Sequence, residues 1–217
     1  MTKSIAVLGL GRYGMSFAKN MYAMGADVLA VDQDEDKIRD FADSCTAAVC
    51  ADISNEEEVL ALGLKNMDIV ATAMSRNLGA SIIAVSVAKD LGVPLVVAKS
   101  SSDRMSSILK KVGADKVIVP EDEGGMRSAR ILSSDLLLDY FKVDGNLSLA
   151  EIRPKREWLG KNLLELNLRQ KHKMNIVGMK KENGNWAFVD PFKKIEEDDY
   201  LLVSVEGSGL AEFTKVE

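Results

Sequence analysis

Short, nearly continuous hydrophobic runs alternate with longer amphipathic stretches over the first 120 residues of the chain. Such runs are typical of parallel strands that are covered by helices on both faces of a sheet. Six strands are predicted: Ser4–Gly9, Asp27–Asp32, Ala47–Ala51, Asp68–Thr72, Leu95–Ala98 and Lys116–Val119. Five helices are predicted between them: Tyr13–Met24, Asp34–Asp43, Asn55–Leu62, Leu78–Leu91 and Asp103–Val112.

This alternation predicts an α/β domain over residues 1–120, built on a doubly wound parallel sheet of the Rossmann type. In such sheets ligands bind beyond the carboxyl ends of the strands, at the point where the strand order reverses. We therefore expect the chemically important residues of this domain to follow the strands.

The pattern changes after the sixth predicted strand. Ala129, Leu132, Leu136 and Tyr140 recur at helical spacing. The segment 121–142 is therefore predicted to be a long crossover or dimerisation helix. A helix that merely closes its own domain is an open alternative.

Residues 143–217 predict a small α+β domain, because their hydrophobic residues fall into short segments with alternating character. The predicted strands are Leu147–Ile152, Asn175–Lys180, Trp186–Val189 and Tyr200–Val205. A hairpin-turn signal lies at Glu182–Asn185, and Gly160–Leu168 resembles a short helix.

Composition and charge narrow the function classes. The chain has 47% hydrophobic and 28% charged residues, which is ordinary globular usage, and a formal net charge of −5 disfavours a nucleic-acid partner. No hydrophobic run approaches the roughly 20 residues that cross a bilayer, so direct membrane insertion is not expected. The chain starts with Met1–Ser4 and passes directly into the first strand, which favours a cytoplasmic protein.

Redox and metal chemistry find little support in the residue counts. Cys45 and Cys50 are the only cysteines, and their spacing is not that of a redox pair; small buried hydrophobic residues are the preferred interpretation. His172 is the only histidine, so a histidine-rich metal site cannot form within one chain.

The most informative motif is Gly9-Leu10-Gly11-Arg12-Tyr13-Gly14, between a predicted strand and a predicted helix. In the dinucleotide-binding fingerprint the first glycine allows a tight turn, the second admits phosphate and the third packs the helix on the strand. Asp32 ends the second strand, where its carboxylate can accept hydrogen bonds from ribose and disfavours the 2′-phosphate of NADP. Alternatively, the glycine motif is a tight turn that binds no ligand, and Asp32 is a turn residue at the strand end.

Other candidate residues follow the remaining strands. Arg12 can pair with phosphates through its planar guanidinium, or it can be a solvated side chain. Asp52 lies near the expected adenine edge but also suits a turn. Thr72 and Ala73 leave room for a nucleotide or for close packing, and Glu121 begins an acidic helix start that suits either the helix dipole or a divalent cation.

Catalytic constellations are not found. None of the four tyrosines has a lysine four residues later, and no Ser–His–Asp set can be assembled in the predicted nucleotide domain. The chain is therefore predicted to bind a nucleotide without catalysing a reaction. A small NAD-dependent oxidoreductase and an NADH-sensing regulator are the alternatives.

These motifs, taken together, give the chain a family resemblance. It resembles the RCK (also called KTN) regulatory proteins of bacterial potassium uptake, the cytoplasmic subunits of Ktr and Trk systems, and looks most like KtrA-type subunits. The matching N-terminal residues are the glycine motif, Val31-Asp32, Ala51-Asp52-Ile53-Ser54 and Val119-Pro120-Glu121. The matching C-terminal residues are Leu159–Leu163, Leu166–Arg169, Asn175–Val177 and Asp199–Val203.

The resemblance implies a Rossmann-type RCK N-domain, a small C-terminal RCK domain, and dimers that assemble into an octameric ring under a membrane potassium transporter subunit. It implies that ATP and ADP bind the N-domain, and that Tyr13 and Ile53 contribute to this site together with the residues already named. Each nucleotide is implied to favour a different ring shape. It further implies a divalent cation near Glu121 at the dimer contact. Cyclic di-AMP is implied in the C-domain, near Arg169, Asn175 and Ile176.

Overall fold

A computed structural model describes residues 2–74 and 77–207 of the chain. The chain divides into two compact units, Met1–Glu121 and Asp122–Glu217, which are described separately below.

The first unit contains a six-stranded parallel sheet with helices between the strands. The strands are β1 (Ser4–Leu8), β2 (Asp27–Asp32), β3 (Ala47–Cys50), β4 (Ile69–Thr72), β5 (Leu95–Lys99) and β6 (Lys116–Ile118). The helices are α1 (Arg12–Ala23), α2 (Glu35–Phe41), α3 (Glu56–Ala61), α4 (Leu78–Asp90) and α5 (Asp103–Val112). Each of these elements lies where the hydrophobic pattern predicted it, within a few residues at the ends.

The strand order β3-β2-β1-β4-β5-β6 confirms the predicted Rossmann-type doubly wound sheet. The chain moves outward on one side from β1 to β3 and then returns to the other side of β1 at β4. Leu8 pairs with both Val31 and Thr72, so the carboxyl ends of β1, β2 and β4 lie at one level. The order reverses between β1 and β4, and the ligand crevice of this fold class opens at that point.

Hydrophobic burial and helix capping explain why these elements form. The central strand β1 is fully buried from Ile5 to Leu8, as expected for a strand covered on both faces. Four helices begin at residues whose side chains accept a backbone hydrogen bond in the first turn: Asp34, Asn55, Asn77 and Ser102. The starts of α2, α3, α4 and α5 therefore rest on ordinary capping chemistry, whereas α1 begins after Gly11 without a side-chain cap.

The second unit contains a four-stranded antiparallel sheet with short helices. Its strands are β7 (Leu137–Lys142), β8 (Leu147–Ile152), β9 (Met174–Lys181) and β10 (Asp199–Glu206), in the order β7-β8-β10-β9. Its helices are α7 (Leu163–Leu166) and α8 (Leu168–His172), which pack over the sheet with Trp158 in a buried core. Helix α6 (Pro120–Leu132) precedes them and has no buried residue. This arrangement confirms a small α+β domain.

The long helix predicted over 121–142 is wrong beyond Leu132. Its second half is β7, which pairs antiparallel with β8. A register shift between Leu137 and Asp139 lets Leu137 and Tyr140 both reach the core. Of the residues on which the helix was predicted, Leu136 and Tyr140 contact the core of this unit, whereas Ala129 and Leu132 are exposed. Two core residues four positions apart reproduce helical spacing, and for that reason the hydrophobic pattern indicated a helix.

Two smaller predictions in the second unit also need correction. Trp186–Val189 is not a strand; within the described residues it contributes a single bridge between Ala187 and Met179. The helix predicted over Gly160–Leu168 is shorter than expected: only α7 lies within it, because Asn167 adopts a left-handed conformation with φ of 47° and ends α7, and α8 begins at Leu168.

Candidate functional site

An open cavity of about 850 Å³ lies at the carboxyl ends of the central strands, where the strand order reverses. Its volume is within the range of roughly 300–1,000 Å³ that small-molecule sites occupy. Seven of the ten predicted nucleotide residues line it: Gly9, Gly11, Arg12, Asp32, Asp52, Ile53 and Ala73. Six other residues complete the described lining: Gln33, Lys37, Ser54, Met74, Asn77 and Ala80.

The three glycines of the motif occupy three different environments. Gly9 has φ of 102°, a conformation that L side chains rarely adopt. A Cβ atom on Gly14 would lie 1.9 Å from the carbonyl oxygen of Gly9, so any side chain would separate α1 from the loop. A Cβ atom on Gly11 would meet nothing within 4 Å. The first and third glycines thus form the loop, whereas the second leaves its backbone open to the cavity.

The Asp32 carboxylate holds the glycine loop in place. Its Oδ2 atom accepts a 2.7 Å hydrogen bond from the backbone nitrogen of Leu10. Its Oδ1 atom accepts a 3.0 Å hydrogen bond from the backbone nitrogen of Asp34. Asp32 is only 7% exposed, yet it lines the cavity. The residue predicted to bind ribose therefore also has a structural role within the loop.

Lys37 neutralises this carboxylate and was not predicted from the sequence. Its ammonium lies 3.2 Å from Oδ1 and 3.3 Å from Oδ2 of Asp32, and its side chain is 38% exposed. Ribose hydroxyls and the Lys37 ammonium would compete for the same oxygens. A lysine in the first turns of an exposed helix has no distinguishing sequence signal, because such residues are common on solvated faces.

Arg12 and Tyr13 begin α1 directly after the open glycine. Arg12 is exposed and lines the cavity beside the free backbone groups of the helix start, where an anion is favoured. Tyr13 is half-buried and stacks on Phe17 with ring centroids 5.8 Å apart. Arg12 is thus placed to reach an anion, whereas Tyr13 packs on its own helix and, with Gly14, does not line the described cavity.

Asp52 also lines the cavity and lies in the turn before α3. Its Oδ1 atom accepts hydrogen bonds from the Oγ (2.7 Å) and backbone nitrogen (2.9 Å) of Ser54, and these bonds hold the pKa of Asp52 below its usual value. Neighbouring Ile53 is buried. An ionised carboxylate beside an apolar side chain suits the amino and ring edges of a base.

Thr72 ends β4 and Ala73 follows it, at the crevice. Ala73 lines the cavity, whereas Thr72 is 2% exposed and does not. The Oγ1 atom of Thr72 is buried and has no hydrogen-bond partner in the described part of the chain. Thr72 contributes a small side chain to the packing beneath the crevice.

Glu121 lies at the start of α6 and forms an ion pair with a buried lysine. The ammonium of Lys99, at the carboxyl end of β5, is 2.6 Å from Oε1 of Glu121. This hydrogen bond holds the pKa of Glu121 below its usual value. Lys99 was not predicted to belong to the site, because its strand appeared in the sequence only as a hydrophobic run.

The three residues named for a second ligand come together in the C-terminal unit. Arg169, Asn175 and Ile176 line a cavity of about 220 Å³ together with apolar residues of α7 and α8. Leu164 in its wall is 60% exposed. This arrangement joins a guanidinium, an amide and an open apolar surface.

The C-terminal unit also carries a group of three acidic residues, Glu196, Asp198 and Asp199. The ammonium of Lys181 bonds to all three carboxylates. Burial alone would lower the pKa of Lys181, but these bonds outweigh it and raise that pKa above its usual value. The lysine therefore already supplies the positive charge that these carboxylates need.

Sequence comparison identifies relatives along nearly the whole chain. The family described as TrkA-N domain matches residues 5–120. Ktr system potassium uptake protein C of Bacillus subtilis is 36% identical over 217 residues, covering 99% of this chain and 97% of the relative. Ktr system potassium uptake protein A of the same organism is 34% identical over 201 residues, covering 93% of this chain and 90% of the relative.

Solved structures share the fold. The GsuK RCK domain superposes with a TM-score of 0.66 at 15% identity, covering 100% of this chain and 48% of that one. The GsuK channel bound to NAD superposes with a TM-score of 0.66 at 16% identity, covering 100% of this chain and 40% of that one. This chain therefore spans about half the length, or less, of those structural neighbours.

None of the helices formed by residues 2–74 and 77–207 is long and apolar enough to cross a bilayer. The strand order, the glycine loop and the full-length similarity to two Ktr proteins agree with one another. The chain belongs to the TrkA-N (RCK) family of potassium uptake proteins, with a Rossmann-type N-terminal domain and a small C-terminal domain.

Proposed function

We propose that the chain is a nucleotide-sensing regulatory subunit that gates a membrane potassium transporter. The observation that carries the proposal is the crevice beside the glycine loop. There an open Gly11 backbone, an exposed Arg12 and the start of α1 face one cavity of nucleotide size. These groups supply hydrogen-bond donors and positive charge for phosphates without any arrangement for breaking a bond.

ATP and ADP are the proposed ligands. Gly9, Gly11 and Arg12 would take the phosphates, Asp32 the ribose, and Asp52 with Ile53 the base; Tyr13, Gly14, Thr72 and Ala73 would shape the loop and floor. A ribose hydroxyl that bonds to Asp32 displaces Lys37, whose half-exposed side chain is free to turn toward the phosphates. NAD(H) shares the adenosine part, so it is the alternative ligand.

A non-enzymatic role fits the lining of the crevice. The described lining has one arginine, one lysine and two aspartates, and among those residues no histidine, cysteine or tyrosine. Hydride transfer needs an acid or base near the reacting carbon, beyond the groups that hold the cofactor. A small NAD-dependent oxidoreductase, the alternative function, would need a catalytic acid or base from outside the described lining.

Gating follows from differential binding. A nucleotide shifts an assembly between two shapes only by as much as it binds one shape more tightly. The γ-phosphate adds charge within reach of Arg12, and this charge is the natural source of the difference between ATP and ADP. We propose that dimers of the chain form an octameric ring under the membrane subunit, at the cytoplasmic face, with a divalent cation near Glu121 at the dimer contact.

Cyclic di-AMP is the proposed ligand of the C-terminal unit. Arg169 can pair with its phosphates, Asn175 can bond to an adenine edge, and Ile176 supplies apolar contact. The cavity within one chain, about 220 Å³, is small for a cyclic dinucleotide. A second copy of the unit would have to complete the site.

A ligand panel tests the proposal. ATP, ADP, NADH and cyclic di-AMP are added separately to the full chain, and the melting temperature is followed with ligand concentration, since a ligand of the native state raises it. We expect shifts with ATP and ADP. In proteoliposomes that contain the membrane subunit, ATP and ADP should give different potassium fluxes. A dominant shift with NADH and turnover of a metabolite would replace this proposal with the oxidoreductase.

A further inference from the structure

Met74 lies directly beside the glycine loop, two residues after the end of β4. It lines the cavity, and a Cβ atom built on Gly9 would lie 2.8 Å from Cγ of Met74. The methionine side chain therefore fills the space beside Gly9 that a side chain at that position would otherwise take. The glycine loop and the segment after β4 thus meet through one apolar side chain in the wall of the crevice.

Three contacts hold Met74 in this position. The backbone nitrogen of the preceding Ala73 donates a 2.8 Å hydrogen bond to the carbonyl oxygen of Leu8, at the end of β1. The hydroxyl of Ser81, fully buried on α4, lies within hydrogen-bond distance (3.3 Å) of the carbonyl oxygen of Met74. The Met74 side chain is partly buried and packs against the hydrophobic core of the first unit. A ligand that pushed this side chain aside would expose apolar surface to water, which has a free-energy cost.

The strand order gives the crevice two sides, one on each flank of the glycine loop. Strands β2 and β3 lie on one side of β1, and the residues that follow them, Asp32 at the end of β2 and Asp52 after β3, mark the proposed adenosine half. Strand β4 lies on the other side of β1, and Met74 follows it. A dinucleotide in this fold class lies across the point where the strand order reverses, so its second half extends to the β4 side. Met74 stands on the path of that second half.

We infer that Met74 is a specificity-determining residue, which makes the crevice prefer an adenosine di- or triphosphate to a dinucleotide. The phosphates of a mononucleotide end at the loop, beside Arg12, and do not need to pass the methionine. In a dinucleotide the second phosphate carries another nucleoside, which must extend past Gly9 and meet the Met74 side chain. Because methionine is unbranched and flexible, it gives way at a cost and does not close the crevice completely. This inference rests on the proposed nucleotide site and adds the class of ligand that the site disfavours.

The test compares ADP with NADH, because NADH contains ADP and adds a nicotinamide riboside at its second phosphate. Calorimetry with the full chain measures both dissociation constants for the wild type, Met74→Ala and Met74→Leu. We expect Met74→Ala to raise the affinity for NADH relative to ADP by about tenfold, since the truncated side chain no longer has to be displaced. Met74→Leu restores a side chain of similar volume and should restore the preference for ADP.

Met67→Ala is the matched control for general loosening of the domain. Met67 is also a partly buried methionine that packs against the same core, but it is outside the described cavity lining. Its ratio of NADH to ADP affinity should equal that of the wild type. An equal gain for NADH in Met67→Ala and Met74→Ala would overturn the inference, because it would trace the effect to core packing and not to the path of the ligand.

An unchanged ratio in Met74→Ala would also overturn the inference while leaving the proposed nucleotide site intact, provided that ADP still binds. Failure of ADP and ATP to bind the wild type would refute the proposed site and the inference with it. If Met74→Ala does not fold, Met74→Val replaces it, and the ¹³C-methyl resonance of Met74, assigned from the Met74→Leu spectrum, is followed in the wild type. NADH should shift this resonance more than ADP does; equal shifts would contradict the inference.

Discussion

The backbone nitrogen of Leu10 donates a 2.7 Å hydrogen bond to Oδ2 of Asp32, and this buried bond ties the glycine loop to the end of β2. One carboxylate thus fixes the loop and faces the cavity. Because the Leu10 amide is shielded from water, the loss of its acceptor has an energetic cost that a surface carboxylate would not have.

Asp32→Ala is expected to lower the free energy of unfolding by about 1–3 kcal/mol, because it leaves the Leu10 N–H buried without an acceptor. It should also weaken ATP and ADP equally, since both nucleotides have the same ribose. Urea unfolding and calorimetry measure the two effects. Asp32→Asn is the control: its amide oxygen can still accept from Leu10, so it should lose less stability. Equal stability losses in the two variants would argue against this bond.

Gly14→Ala and Gly11→Ala should separate folding from binding. A methyl group on Gly14 would meet the Gly9 carbonyl oxygen at 1.9 Å, so we expect a loss of about 2 kcal/mol or more in the free energy of unfolding. Gly11 has φ of −72° and open space around it, so its alanine variant should stay within about 1 kcal/mol of the wild type.

Gly11→Ala should nevertheless weaken nucleotide binding, because its methyl group would occupy the space that a phosphate needs. Thermal unfolding and calorimetry of both variants check this contrast. Unimpaired ATP binding by a folded Gly11→Ala variant would show that phosphate does not approach the loop at this residue.

Arg12→Ala is expected to weaken ATP binding more than ADP binding. Loss of a charge-assisted contact to a phosphate typically changes affinity by a factor of about 10 or more. Arg104→Ala is the matched control, because Arg104 is an exposed arginine on α5 outside the described cavity lining. Calorimetry with both nucleotides gives the ratio; equal losses would exclude Arg12 from nucleotide discrimination.

Acid should destabilise the first unit through Asp115. Hydrogen bonds from the backbone nitrogen of Val96 and from Lys89 hold its pKa below the ordinary value of 3.8. A depressed pKa in the folded state gives stability that is complete above the unfolded pKa and is lost as the pH falls through the folded pKa. The free energy of unfolding should therefore begin to fall near the ordinary pKa of 3.8 and decrease further as the pH drops below it. Asp115→Asn should reduce this slope in urea unfolding, whereas an unchanged slope would contradict the assignment.

Arg169→Ala and Asn175→Ala should weaken cyclic di-AMP binding without changing the affinity for ATP. Both residues line the cavity of the C-terminal unit, which is distinct from the nucleotide crevice. Lys171→Ala is the control, because Lys171 is an exposed basic residue on the same helix as Arg169 and outside the lining. Calorimetry with each ligand measures the change. Equal losses in Arg169→Ala and Lys171→Ala, with no loss in Asn175→Ala, would indicate only a general electrostatic attraction.

Local patterns in the sequence were sufficient to predict the doubly wound sheet and the place of the crevice. Continuous hydrophobic runs mark strands buried on both faces, and the glycine motif has few backbone solutions between a strand and a helix. Both are local signals. Seven of the ten predicted nucleotide residues consequently line one cavity.

Contacts between residues from distant parts of the chain became visible only in the folded structure. Local periodicity could not reveal that Lys99 lies against Glu121, that Lys37 covers Asp32, or that 137–142 forms a strand. The first two are ion pairs set by packing, and they leave no spacing pattern in the sequence. The strand exists because β8 supplies its hydrogen bonds across a bulge, and a bulge places buried residues at an interval that local analysis attributes to a helix.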